Sequence, residues 1–237
     1  MKKILKFIQV DLQQIFRDRA LTSFLFAPFV LIIAFRYGVP WLGDIFPVLK
    51  DYYPLIVMFS SVQTSIMFGF VVSFIILDEK DENMIQVIRV LPITPAVFVF
   101  YRLAFATIFS ILGAFAMISF NGFVSVSIVD SILLSIQYGL IAPFIVLIVG
   151  TFANNKIEGM AYFKGIDLFL SLPILYFFIH GWTKHILAIV PAYWTFRLFE
   201  KSLINFDTIL FFFLGLAIYI ALIFIFFIQF KKRVLDK

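Results

Sequence analysis

The chain has 237 residues, of which 63% are hydrophobic and 14% charged, with a mean hydropathy of +1.06; soluble domains carry roughly a quarter charged residues, so this composition excludes a water-soluble fold and makes lipid the solvent. The formal net charge of +5 is accounted for by basic loops facing anionic lipid, and no basic patch with interleaved stacking aromatics points to nucleic acid. Cysteine is absent, which excludes a disulfide framework, a metal thiolate and a thiol nucleophile.

Residues 1–19 place Ile4, Leu5, Ile8, Leu12, Ile15 and Phe16 at three- and four-residue spacing, with Lys3, Lys6, Gln13, Gln14, Arg17 and Asp18 mostly elsewhere around the wheel. This predicts an amphipathic helix lying in the membrane interface, its basic residues toward headgroups. The first apolar run begins only after this charged segment, so no cleavable signal is expected.

A helix needs about 20 apolar residues to cross the hydrocarbon, and its backbone must be satisfied within the segment. Uncharged runs then predict spans at 20–42, 54–77, 97–120, 131–153, 166–181 and 208–230. The first reaches spanning length only by continuing through Arg36, whose guanidinium can snorkel to the interface. The fifth is short, contains Pro173 and ends at His180-Gly181.

Pro40, Gly43, Pro47 and Pro54 with Trp41, Tyr52 and Tyr53 suit a connector flanked by interfacial aromatics. Residues 182–205 are too apolar for a free loop yet follow Gly181 and contain Pro191, which predicts two short helices forming a re-entrant outer hairpin. The expected fold is one all-α integral membrane domain: six transmembrane helices, an N-terminal interfacial amphipathic helix and that hairpin before the last span.

Six spans put both termini on one side. That side collects all of the 19 Lys and Arg except Arg36, Lys50, Lys184, Arg197 and Lys201, and a basic excess in short loops marks the cytoplasm. The membrane would be a cell membrane, bacterial or archaeal.

Motifs for chemistry are missing. His180 and His185 have no carboxylate arranged to complete a metal site, and neither H-E-x-x-H nor G-x-S-x-G occurs. Asp78, Arg102, Asp130, Asp167 and Asp207 are all expected at span ends, so intrinsic ion coupling is not expected. Without G-x-x-x-x-G-K-[ST] there is no phosphate cradle, and any energy must enter from another subunit.

The entry point for that energy is 78–96, reading DEKDENMIQVIRVLPITPA. Asp78, Glu79, Lys80, Asp81 and Glu82 mass carboxylates against a basic face and favour a helix start. Met84, Ile85, Val87, Ile88 and Val90, relieved only by Gln86 and Arg89, then form a short apolar turn suited to a groove on a partner. Pro92 and Pro95 end it.

This segment resembles the stretch after the second transmembrane helix of ABC-2 type permeases, the membrane subunits of type V ABC exporters. The matching residues are Glu79-Lys80-Asp81-Glu82, Val87-Ile88-Arg89-Val90, Pro92-Ile93-Thr94-Pro95 and Tyr101-Arg102. Ile15-Phe16-Arg17-Asp18, Ala27-Pro28, Asn155-Lys156-Ile157-Glu158-Gly159 and Val190-Pro191-Ala192-Tyr193-Trp194 extend the resemblance over most of the chain. Many family members have Gly-Thr where this chain has Asn83-Met84, so the start of the coupling helix differs.

The resemblance implies half of an exporter that pairs with a second permease copy or homologue and with a cytoplasmic ABC ATPase, which would bind the ATP and magnesium; this chain would hold no cofactor and no metal. Asp78, Glu79, Lys80, Asp81, Glu82, Met84, Ile85, Ile88 and Arg89 would be the coupling residues, with Glu158 in the loop 154–164 a second contact. Ser60, Gln63, Thr64, Tyr193 and Trp194 are candidates for the substrate path, for drugs, peptides or lipid-like molecules. Two other readings compete: a substrate-capture subunit of an energy-coupling importer, which would lack the acidic loop and the broken outer segment, and a lipid-modifying membrane enzyme, which would need spaced aspartates for metal and phosphate.

Overall fold

The computed structural model describes residues 2–82, 95–179, 181–204 and 208–235. The described residues are almost entirely helical: α1 Lys2–Arg17, α2 Arg19–Ile45, α3 Tyr53–Asp81, α4 Pro95–Phe120, α5 Ile128–Gly139, α6 Ile141–Phe152, α7 Lys156–Ser171, α8 Pro191–Leu203 and α9 Thr208–Phe230, with short 3-10 segments at Pro47–Tyr52, Leu172–Phe177 and Trp182–Ile189. Among them, 6 stretches are long and apolar enough to cross a membrane: Arg19–Ile45, Pro47–Asp81, Val99–Phe120, Ile128–Phe152, Lys156–Phe177 and Thr208–Leu235.

The second and fourth spans form the centre, and the first, fifth and sixth are peripheral. Lipid cannot drive helices together by the hydrophobic effect, so close packing must, and small residues allow it. Gly69 of α3 faces Ala142 of α6 so closely that an added Cβ would lie 3.2 Å from that residue's backbone. Gly113 of α4 meets Phe68 and Thr64 of α3 in the same way. Ile66, Phe70, Val71, Ile75, Tyr138, Ile145, Val149 and Phe199 fill the common core.

Helix boundaries follow local chemistry. Asp18 separates α1 from α2, its Oδ1 accepting from the Ala20 and Leu21 backbone N–H groups at 2.8 and 3.3 Å, the N-cap role that a short carboxylate fills well. The fourth span is two helices in series, broken at Leu140, where Pro143 brings no backbone N–H. Arg36 does not simply reach for the interface: its Nη1 donates to the Phe120 carbonyl at 2.7 Å, satisfying the C-terminal end of α4.

The fifth span departs from expectation. It starts at Lys156, not 166, so the loop expected at 154–164 is the first half of a helix, and the connection after α6 shrinks to Ala153, Asn154 and Asn155. Asn155 Oδ1 accepts from the Glu158 N–H at 2.9 Å, while Glu158 Oε2 accepts from the Asn154 backbone N–H at 2.9 Å. This reciprocal cap starts the helix. A further expectation falls with the boundary: Asp167 is not at a span end but about 16 Å along α7 from Lys156, at 1.5 Å per residue. Lys164 also lies within this span.

Two short helical elements separated by Val190 form the segment before the last span. The second, α8, buries Tyr193, Thr195, Phe196, Leu198 and Phe199 against α9 and α5.

Candidate functional site

At the end of the bundle that carries α1, the acidic cluster Asp78 to Asp81 completes the last turn of α3 rather than opening a loop. The side chains of Asp78, Glu79 and Lys80 turn into the protein, while Asp81 is exposed. Arg102 of α4 is only 2% exposed and is held between two carboxylates. Its Nε and Nη2 donate to Asp11 of α1 at 3.0 and 2.6 Å. Nη2 also donates to Glu79 of α3 at 2.7 Å, and Nη1 donates to the other Glu79 oxygen. The Tyr101 hydroxyl donates to Asp11 Oδ2 at 2.6 Å. A guanidinium fork matches paired carboxylates in this way.

A second cation extends the plate. Lys156, at the start of α7, reaches Asp78 Oδ1 at 2.5 Å and Asp18 Oδ2 at 3.2 Å, and Gln14 of α1 donates to the other Asp78 oxygen at 2.9 Å. Lys80 donates to the Gly150 and Ala153 carbonyls at 2.5 and 2.8 Å, closing the C-terminal end of α6. Five helices are thereby tied together in one polar layer.

Asp18 lies outside the spans. Burial pushes its carboxyl up, but hydrogen bonds from Leu21, Lys156 and Ala20, together with the Lys156 charge, outweigh this and hold it below the usual aspartate range.

The layer holds both ends of the expected coupling segment 78–96: Glu79 lies in its first turn and Arg102 six residues past its end. Glu82, at its near foot, is exposed. Met84, Ile85, Ile88 and Arg89, and the rest of 83–94, lie outside the described residues.

The expected path residues separate. Ser60 and Thr64 are buried, and their hydroxyls donate to the Val57 and Ser60 carbonyls of their own helix. Tyr193 is buried at the opposite end, its hydroxyl 2.6 Å from His185 Nδ1; Trp194 Nε1 donates to the Ala188 carbonyl at 3.1 Å. Those two residues hold the outer segment to itself. Gln63 is different. It lies partly exposed on α3, and its Nε2 donates to Asp167 Oδ1 at 2.9 Å and to Ser171 Oγ at 3.4 Å. Sequence reasoning missed Asp167 because it was assigned to a span end. A carboxylate at the centre of a membrane helix costs roughly 2.5–3.5 kcal/mol on insertion scales, so its place there requires polar company.

Glu158 is spent on capping α7. Among the described residues no group of three or more His, Cys, Asp or Glu is placed to hold a metal ion.

The described residues form an all-helical protein with six membrane-spanning-type helices and a braced polar layer at one end. A family model described as fluoroquinolones export permease protein Rv2686c-like matches residues 11–228, and the chain belongs to this family of ABC-2 type export permeases. Among curated proteins, the fluoroquinolones export permease proteins Rv2686c and MT2760 of Mycobacterium tuberculosis, strains ATCC 25618 / H37Rv and CDC 1551 / Oshkosh, are each 28% identical over 205 residues, covering 80% of this chain and 78% of the relative. No solved structure matches significantly. The resemblance read from Glu79 to Arg102 thus leads to the right family, and the chain is a multi-pass transport subunit of bacterial type.

Proposed function

We propose that this chain is the membrane half of an ATP-driven exporter, powered by a separate cytoplasmic ABC ATPase that supplies ATP and magnesium, and paired with a second permease copy or homologue. The end carrying α1, Lys80, Arg102, Lys156 and Lys231 to Arg233 faces the cytoplasm, and both termini lie there. Segment 78–96 is the coupling element, and 182–205 dips into the outer leaflet as a re-entrant hairpin. Amphipathic drugs of the fluoroquinolone kind, the cargo in the relatives' names, are the substrates to test first.

The observation that carries this reading is the clamp of Glu79 and Asp11 on Arg102. Glu79 and Arg102 flank segment 83–94 on either side, and Asp11 ties both to α1. A push on that segment therefore reaches α1, α3 and α4 together, because buried ion pairs hold geometry more firmly than exposed ones. Coupling needs such a shared element, biased differently by each nucleotide state.

The roles of the acidic residues divide accordingly. Glu82, exposed at the foot of the segment, meets the ATPase, together with Met84, Ile85, Ile88 and Arg89; Asp78, Glu79, Lys80 and Asp81 brace it. Co-purification of the ATPase with the permease tests the division. Glu82→Ala is expected to weaken assembly, and Glu79→Gln to preserve it while lowering transport per ATP. Undiminished co-purification and undiminished transport in both variants would refute the coupling role of this segment.

A further inference from the structure

The fifth span carries a carboxylate that the braced layer does not use. Asp167 sits near mid-span, partly exposed. Among the described residues its hydrogen-bond partner is the neutral Gln63 amide, on one oxygen, and no cation lies within ion-pair distance of it. A carboxylate at this depth is placed either against a polar path or against a partner charge.

Its surroundings say what it faces. Past Leu55, the residues of the α3 span that are not fully buried before Asp78 are Ile56, Phe59, Gln63 and Met67. They recur at three- and four-residue spacing and so form one stripe along the helix. Gln63 is its middle, with Phe59 and Met67 one turn to either side, while α7 contributes Asp167 and Ser171. The Gln63 partner of this acid thus shares its stripe of α3 with an aromatic ring and a thioether, two groups that pack well on flat rings.

From this geometry we propose that Asp167, oriented by Gln63, is a recognition site for the protonated amine of an amphipathic aromatic substrate, whose ring system lies along Phe59 and Met67. The proposal rests on the exporter reading and names the substrate class: amine-bearing aromatic cations or zwitterions in preference to neutral analogues. Gln63 is a positioning residue, since its amide holds the carboxylate and leaves the second oxygen for the ligand. Lys164, on the same helix, is long enough to carry its charge toward the cytoplasmic interface.

The test uses two probes: a fluorescent quinolone with a basic piperazine ring, and its N-acetyl derivative, which keeps the ring system and loses the positive charge. Equilibrium binding to the purified chain and ATP-driven uptake into inverted vesicles holding the permease with its ATPase are both measured. Asp167→Asn, which still accepts from Gln63, is expected to weaken binding of the piperazine probe by about tenfold or more and to leave the N-acetyl probe unchanged. Asp167→Glu is expected to restore the preference, and Lys164→Gln to preserve it.

Equal loss of both probes, or loss of neither, would overturn the site. So would a Lys164→Gln variant that reproduces Asp167→Asn, because Asp167 would then be pairing with the lysine of a second copy. Uptake of both probes without discrimination by Asp167 removes the site and leaves the exporter reading standing. Asp167-dependent binding without ATP-driven uptake removes the exporter reading and leaves the site.

Discussion

Arg102 is the residue on which the described structure turns. Its side chain is 3% exposed, and the Asp11 and Glu79 carboxylates are 13% and 14% exposed. Removing one member strands a buried charge, at a cost of about 3–5 kcal/mol, whereas replacing the whole group by apolar residues is often neutral. Arg102→Met alone should therefore lower the thermal unfolding temperature of the purified permease sharply. The triple variant with Asp11→Leu and Glu79→Leu should recover most of that loss while remaining unable to couple. At Asp18 the prediction concerns pH. Its depressed carboxyl stabilises the fold above the unfolded-state value near 4, and the contribution disappears as pH falls through the lower folded value. Asp18→Asn should be less stable than the parent at neutral pH, and the two unfolding curves should converge in acid.

At the scale of elements, helix ends and close approaches decide what the chain tolerates. Asn155→Ala removes the cap of α7 and should cost about 1 kcal/mol, seen as a small drop in unfolding temperature. Gly215→Ala places a Cβ 2.3 Å from the Gln137 amide, which already donates to the Phe211 and Phe212 carbonyls; the amide must swing away and give up those bonds while buried, and the loss should exceed that of the cap. The fifth span shows why its start was illegible in the sequence. Lys156, Glu158, Lys164 and Asp167 interrupt its hydropathy, the lowest of the spans at 1.3. Three of those charges have partners supplied by the fold: Asp78 and Asp18 for Lys156, the Asn154 donors for Glu158, and Gln63 for Asp167. The second, third, fourth and sixth spans were legible because their uncharged runs exceed the bilayer thickness without help, and the first needed only Arg36 to be admitted at its end. The acidic cluster was equally plain, but its partners were not: Asp11 and Arg102 are 91 residues apart, and nothing in local pattern announces that pairing.

At the scale of the whole molecule, a buried centre of the second and fourth spans carries the more exposed first, fifth and sixth spans around it. The polar layer joins both groups at the end that carries α1, through α1, α3 and Lys156, so on the proposed reading a push on the coupling segment would be passed to the periphery where Asp167 lies. Orientation is directly testable because the chain has no native cysteine: a Glu82→Cys variant should resist a membrane-impermeant maleimide in intact cells and react in inverted vesicles. The most direct measurement of the central claim is transport per ATP hydrolysed by the reconstituted permease and ATPase, for the parent and for Glu79→Gln. An intact complex whose ATP turnover continues while transport per ATP falls severalfold is the predicted result; an unchanged ratio in Glu79→Gln would show that the clamp on Arg102 does not carry the force.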